Sequence, residues 1–163
     1  MASGEIRLAA GRMGKVVVAR LAPGCELTES IKEICKREGI LNGIILGGAA
    51  SLTQAALRNV RTVPEKFPIT DQNRAFSTLK GPLELLGISG NISHTEDNNI
   101  WVHAHVMIST GSPDGLAFGG HLVSGTYIFT TGEISIAEVE GMDLLRKRDP
   151  ETLAIELYPV PLR

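Results

Sequence analysis

Three of the four histidines in the chain fall in one segment, residues 101–122, WVHAHVMISTGSPDGLAFGGHL. His103 and His105 stand two apart inside an apolar, β-branched run, so on a strand both imidazoles leave the same face of the sheet. Ser112-Pro113-Asp114-Gly115 reads as a tight turn: Pro pre-sets φ, Asp folds its side chain back on the backbone and Gly is free to take positive φ. A hairpin centred near Pro113 brings His121 roughly opposite His105, where cross-strand Cβ atoms lie ~4.5–5.5 Å apart. Neutral imidazole is the commonest protein ligand for zinc, and three of them plus an open position hold zinc or another divalent metal together with water or a small-molecule ligand. The same three residues equally describe a hydrogen-bonded or solvated histidine cluster lining a cleft, since H-x-H on a strand is a weak signal taken alone.

Glu84 is the one carboxylate placed near this trio by the pattern. It heads an apolar strand face and is a candidate catalytic group that orients an imidazole or holds a water; the plainer reading is an end-of-strand carboxylate that reaches solvent or pairs with an arginine. No other catalytic set is visible. The chain has no G-x-S-x-G elbow, no H-E-x-x-H and no paired C-x-x-C, and Asp143 and Asp149 have no evident partner. His94, in the polar stretch SHTEDNN, reads as solvated.

The elements that must position these residues are mostly strands. KVVVARL, residues 15–21, is a β-branched run ending at Pro23-Gly24. From Glu26 to Glu38 the apolar positions Leu27, Ile31, Ile34 and Cys35 make a single helical stripe, with acidic residues early, basic residues late and Gly39 as the stop. ILNGIILGGAASL, residues 40–52, predicts a buried strand that breaks at Gly47-Gly48; the glycine pair lacks a phosphate-loop pattern and reads as a bulge or close packing. Residues 54–61 predict another strand, and residues 62–81, polar with two prolines, a long loop with room for a short strand. Along residues 83–92 a period of two places Leu83 and Leu85 on one face and Glu84, Leu86, Ile88 and Ile92 on the other. On the histidine strand Trp101, His103, His105 and Met107 share a face, leaving Val102, Ala104, Val106 and Ile108 for the core. Residues 126–139 form one long strand or two joined by a bulge at Gly132, residues 141–148 (GMDLLRKR) a short helix, and residues 153–158 a last strand. One principal amphipathic helix among many strands that do not alternate βαβ implies an α+β domain, mainly antiparallel, with a single core over about residues 13–158.

Composition narrows the function classes. The chain has 163 residues, 43% hydrophobic and 21% charged, the profile of one globular domain. No apolar run approaches a membrane span, and MASGEIRLAAGRMG lacks the apolar middle of a secretory signal peptide, so a soluble, cytoplasmic protein with no membrane partner is expected. Cys25 and Cys35 are poorly placed to pair. A formal net charge of −2 supplies no global basic field for a phosphate backbone, and the local cluster Arg146-Lys147-Arg148 reads as a solvated loop or helix end.

The order of segments ELTESIKEICKREGI, GIILGGAASLTQAALRNV, LELLGISGNIS, WVHAHVMIS, the PDG turn and LAFGGHLVSGTYIFTTGEISI resembles the plants-and-prokaryotes-conserved (PPC) domain family, over at least residues 13–139. The resemblance implies a compact α+β domain that associates as a homotrimer. It also implies a metal, usually zinc, at the positions of His103, His105 and His121. Glu84 falls on the family's acidic position in LELLGISG, without an established role there. In plants the domain follows an AT-hook, R-G-R-P, that enters the minor groove; stand-alone prokaryotic members often carry a provisional DNA-binding label. This chain has neither an R-G-R-P segment nor a basic arm, so charge and motif do not support DNA binding. Two functions follow as expectations: a metal-binding homotrimer without a defined activity, or a zinc-dependent hydrolase or lyase acting on a small molecule with Glu84 as helper.

Overall fold

The structure, a computed structural model, describes residues 6–162; the signal-peptide expectation falls partly outside them. Its elements are β1 (Arg12–Leu21), α1 (Leu27–Glu38), β2 (Gly43–Val60), β3 (Arg74–Thr95), β4 (Ile100–Thr110), β5 (Ala117–Leu122), β6 (Tyr127–Glu140), β7 (Met142–Arg148) and β8 (Ile155–Pro161). The strands hydrogen-bond in the order β1-β6-β2-β5-β4-β3-β7-β8, and β2 also pairs with β3. Strands β2, β3, β4 and β5 therefore close into a ring. Every pairing is antiparallel except β3 with β7, and the domain is α+β as the pattern implies. Among the described residues no helix is long and apolar enough to cross a membrane.

The helix forms where its stripe predicts. Leu27, Ile31 and Cys35 are fully buried and join one core with Ile45, Leu52, Leu85, Ile92, Val106, Ile108 and Ile136. Glu26 caps the first turn by accepting from Glu29 N at 2.7 Å, and its other carboxylate oxygen accepts from Gly125 N at 3.0 Å. One side chain thus satisfies an orphan helix donor and fastens the helix to the connection between β5 and β6. Gly39, with φ of 67°, closes the helix in the left-handed conformation. Cys25 and Cys35 are free thiols, and burial pushes Cys35 up to about 11.

Five expectations need correction, each for a tertiary reason. β2 does not break at Gly47-Gly48; it runs on for 18 residues, with a register shift against β6 between Ile45 and Gly47. A Cβ on Gly48 would lie 2.6 Å from the Glu133 carbonyl oxygen, so that glycine serves close strand packing. The expected loop at residues 62–81 ends early, because β3 begins at Arg74 and pairs with β2 as far as Val60; this ribbon lacks a fully buried face, and so lacks the alternation that signals a strand. A bulge between Leu85 and Gly87 turns Ile88 and Ile92 onto the core side with Leu83 and Leu85, leaving Glu84 and Leu86 exposed. Residues 141–148 are not helical. They form β7, parallel to the end of β3 and antiparallel to β8, with Leu144 and Arg146 buried at a spacing of two. The last strand begins at Ile155 and runs past Tyr158. Residues 127–140, by contrast, form the single long strand that was one of the two alternatives.

Candidate metal centre

The turn behaves as its residues demand: Gly115 N donates to Ser112 O at 3.0 Å and Gly115 takes φ of 59°. The hairpin register then places His105 directly opposite His121. On its far side His121 faces Arg58 of β2, and beyond His105 lies Ser89 of β3. Arg58, His121, His105 and Ser89 form one row across four strands of the ring, with His103 and its partner Asn91 in the row beside it.

The three imidazoles converge. Ring centroids are 5.6 Å apart for His103 and His105, 5.0 Å for His103 and His121, and 5.2 Å for His105 and His121. One ring nitrogen from each lies within 4.8 Å of the others. Tetrahedral zinc at ~2.0–2.1 Å from each nitrogen requires nitrogens about 3.3 Å apart, so small ring rotations close the set. Close strand approach permits this. A Cβ on Gly119 would lie 2.3 Å from the Val106 carbonyl oxygen, and one on Gly90 would collide with the His103 backbone, so FGGHL carries His121 along a path that side chains would obstruct.

Two arginines complete the site. Arg58 Nη2 donates to His121 Nε2 at 2.9 Å, and Arg146 Nη2 donates to His103 Nδ1 at 3.2 Å. A guanidinium has donors only, so both ring nitrogens act as acceptors and both imidazoles are neutral. Burial, then the Arg58 charge, then the other two imidazoles hold His121 down at about 4. Burial and then Arg146 hold His103 below the ordinary histidine value. Neutral imidazole is the form a metal needs. Burial and the neighbouring Arg74 also lower Arg58, against the opposing pull of Asp71. Arg146 is 4% exposed and further donates to Ser93 Oγ and Asn91 Oδ1, each at 2.9 Å. The centre opens into a cleft of about 670 Å³ that Arg58, Arg74 and Arg146 share with Phe67, Trp101 and Ile155.

His103, His105 and His121 are thus brought together, and Glu84 is not. It is exposed and pairs with Ser51 and Ser109, four residues along β4 from His105, about 13 Å at the usual rise of a strand. His94 is buried, not solvated: its Nε2 meets Asp143 Oδ1 at 2.6 Å and its Nδ1 meets the Thr95 carbonyl at 2.9 Å, which also supplies the partner Asp143 lacked. Asp149 accepts from Tyr158 Oη at 2.5 Å and from the Glu151 and Thr152 backbone N–H groups at 2.9 Å. The tyrosine hydrogen bond, then the Thr152 one, holds the Asp149 carboxyl down at about 2. Arg58 and Arg146 were missed by the sequence reading. Nothing local to β7 shows that Arg146 turns inward beside His103, and nothing local to β2 shows that Arg58 faces His121.

Comparison with known proteins places this geometry in a family. A model of the Plants and Prokaryotes Conserved (PCC) domain matches residues 8–140. A plant- and prokaryote-conserved protein from Pyrococcus horikoshii is 31% identical with a TM-score of 0.73, covering 92% of this chain and 96% of that one. A structure of a metal-containing protein from Archaeoglobus fulgidus is similar in fold, with 23% identity and a TM-score of 0.75 over 93% of this chain and 99% of its own. So is a Bacteroides thetaiotaomicron protein provisionally named as DNA-binding, at 21% identity and a TM-score of 0.70 over 90% of this chain and 96% of its own. A bifunctional protein GlmU from Synechococcus sp. is 30% identical over 91% of this chain, which spans only 21% of that protein's length.

Proposed function

The chain belongs to the Plants and Prokaryotes Conserved domain family, and on that premise we propose that it is a metal-binding domain whose ligands are His103, His105 and His121. The observation that carries this reading is the convergence of three imidazoles from two adjacent strands, with ligand atoms within 4.8 Å and no carboxylate in the set. Three nitrogen donors of borderline softness suit zinc. A divalent ion held there would supply a Lewis acid beside the cleft. The cleft itself is of small-molecule size.

The exposed sheet face supports a homotrimer. Val18, Leu46, Met107 and Phe129 are 73%, 48%, 55% and 50% exposed, while the neighbours Ile45, Val106 and Ile128 lie in the core. Exposed apolar side chains on β1, β2, β4 and β6 support association between copies of the chain, and the number three is what the family resemblance implies. Binding is favoured over a hydrolase or lyase because Glu84, the proposed helper, stands apart from the histidines and, among the described residues, no carboxylate joins their cluster. The DNA-binding names of structural neighbours are not carried over, since a net charge of −2 gives no basic field over the domain as a whole.

Metal analysis of the purified chain, combined with mass measurement in solution, tests the proposal. One zinc per chain, lost in His103→Ala, and a mass of three chains are expected. Absence of stoichiometric metal, with melting unaffected by chelator, refutes the metal site; a monomer mass refutes the trimer.

A further inference from the structure

Arg146 is a buried guanidinium whose hydrogen-bond partners are all neutral: Ser93 Oγ, Asn91 Oδ1 and His103 Nδ1. Arg58, half-buried, likewise donates to a neutral imidazole. Among the described residues neither has a carboxylate within ion-pair distance. Arg74, on the same cleft, is paired with Asp71 at 3.0 Å. Glu156 lines the cleft too and acts on Arg146 only through space. Taking a guanidinium out of water without a counter-charge is costly, and natural proteins keep such groups where an anion completes them.

The hydrogen bonds carry a second consequence. A neutral histidine that ligates a metal through one ring nitrogen keeps a proton on the other, so neither nitrogen can then accept from arginine. Metal loading at His103 and His121 would therefore break both arginine contacts, freeing the Arg58 fork and releasing one N–H of Arg146, which keeps its hydrogen bonds to Ser93 and Asn91. Planar forks of this kind recognise carboxylate and phosphate oxygens in bidentate fashion.

We propose that the cleft binds a small molecule bearing an oxyanion, a carboxylate or a phosphate group, held by Arg58 and Arg146 once the histidines have taken up metal. Phe67, Trp101 and Ile155 of the same cleft accommodate an apolar body attached to that group. The inference rests on the metal reading, and it couples the two events: in the metal-free chain the arginines are engaged by the imidazoles, and in the loaded chain they serve the ligand.

The test is isothermal titration of the full chain, zinc-loaded and metal-free, with inorganic phosphate and with benzoate as probes. Binding of at least one probe to the loaded chain is expected, at least tenfold weaker without metal. Arg58→Gln, measured at saturating zinc with metal content determined in the same sample, is expected to weaken probe binding at least fivefold. Arg58→Lys, the milder change should the glutamine variant fail to fold, also weakens binding under the same conditions, because a point charge replaces a fork. Stronger benzoate than phosphate binding identifies a carboxylate ligand, and the reverse a phosphate. A chain that takes up zinc but binds neither probe, or binds them equally with Arg58 replaced, overturns the oxyanion site and leaves the metal reading standing. A chain that takes up no zinc overturns both.

Discussion

Gly119→Ala tests whether close approach of β5 to β4 is what builds the centre. The added Cβ would sit 2.3 Å from the Val106 carbonyl oxygen and 3.4 Å from Met107 Cα. The first contact is with backbone, which cannot rotate away, so β5 has to retreat by about 1 Å to reach ordinary van der Waals distance. Overpacking of this kind costs about 1–3 kcal/mol. The displacement falls two residues from His121, whose ring nitrogen must close on those of His103 and His105 from a spread of 4.8 Å. A shift of about 1 Å in the wrong direction is comparable to the whole closing motion. Zinc affinity is therefore expected to drop about tenfold or more, the size of effect seen when groups supporting metal ligands are removed. The assays are chemical denaturation of the metal-free chain and competition for zinc against a chromophoric chelator. A variant that is destabilised yet binds zinc as tightly as the parent would show that His121 is not positioned by the glycine approach, and the reasoning would fail.

Other expectations concern protons and the excluded carboxylate. In the metal-free chain His121 stays neutral down to about 4 while the unfolded chain protonates it near 6.5, so stability falls as pH drops through that window, by up to about 3 kcal/mol. Denaturation of His121→Gln, which keeps an acceptor for Arg58, should show a flatter acid limb; identical limbs would contradict the assignment. His94 has the opposite sign. Burial lowers its pKa, but the Asp143 hydrogen bond, the Thr95 carbonyl and the Asp143 charge outweigh it and raise the value. Its contribution is thus complete below 6.5 and is lost as pH rises through the raised folded value. As pH rises from below 6.5 through that raised value the parent should lose stability relative to Asp143→Asn, and a constant difference between the two throughout would argue against a charged His94. Glu84→Gln should leave zinc stoichiometry unchanged and affinity within about twofold, since the residue lies about 13 Å along the strand from His105; a tenfold loss in the same competition assay would restore Glu84 to the site.

Local chemistry determined much of this molecule. The helix from Leu27 to Glu38 and its glycine stop follow from side-chain spacing and helix-end hydrogen bonding, which act within a few residues. The turn at Ser112-Pro113-Asp114-Gly115 sets a hairpin register on its own, and strand period does the rest for His103, His105 and His121. What lay beyond the sequence depends on partners remote in the chain. The bulge at Leu85 and Gly87 reverses which side of β3 faces the core and leaves Glu84 on the outward face that the histidines share, where distance along the strand alone separates it from them. GMDLLRKR carries both helix and strand formers; only pairing with β3 and β8 makes it a strand and buries Arg146 against Asn91, Ser93 and His103. Closure of β2, β3, β4 and β5 into a ring brings Arg58 to His121 across 63 residues of sequence. The three histidines were legible because their geometry is set by a single hairpin, whereas the two arginines were not, because each reaches the site through a strand pairing that no local pattern encodes.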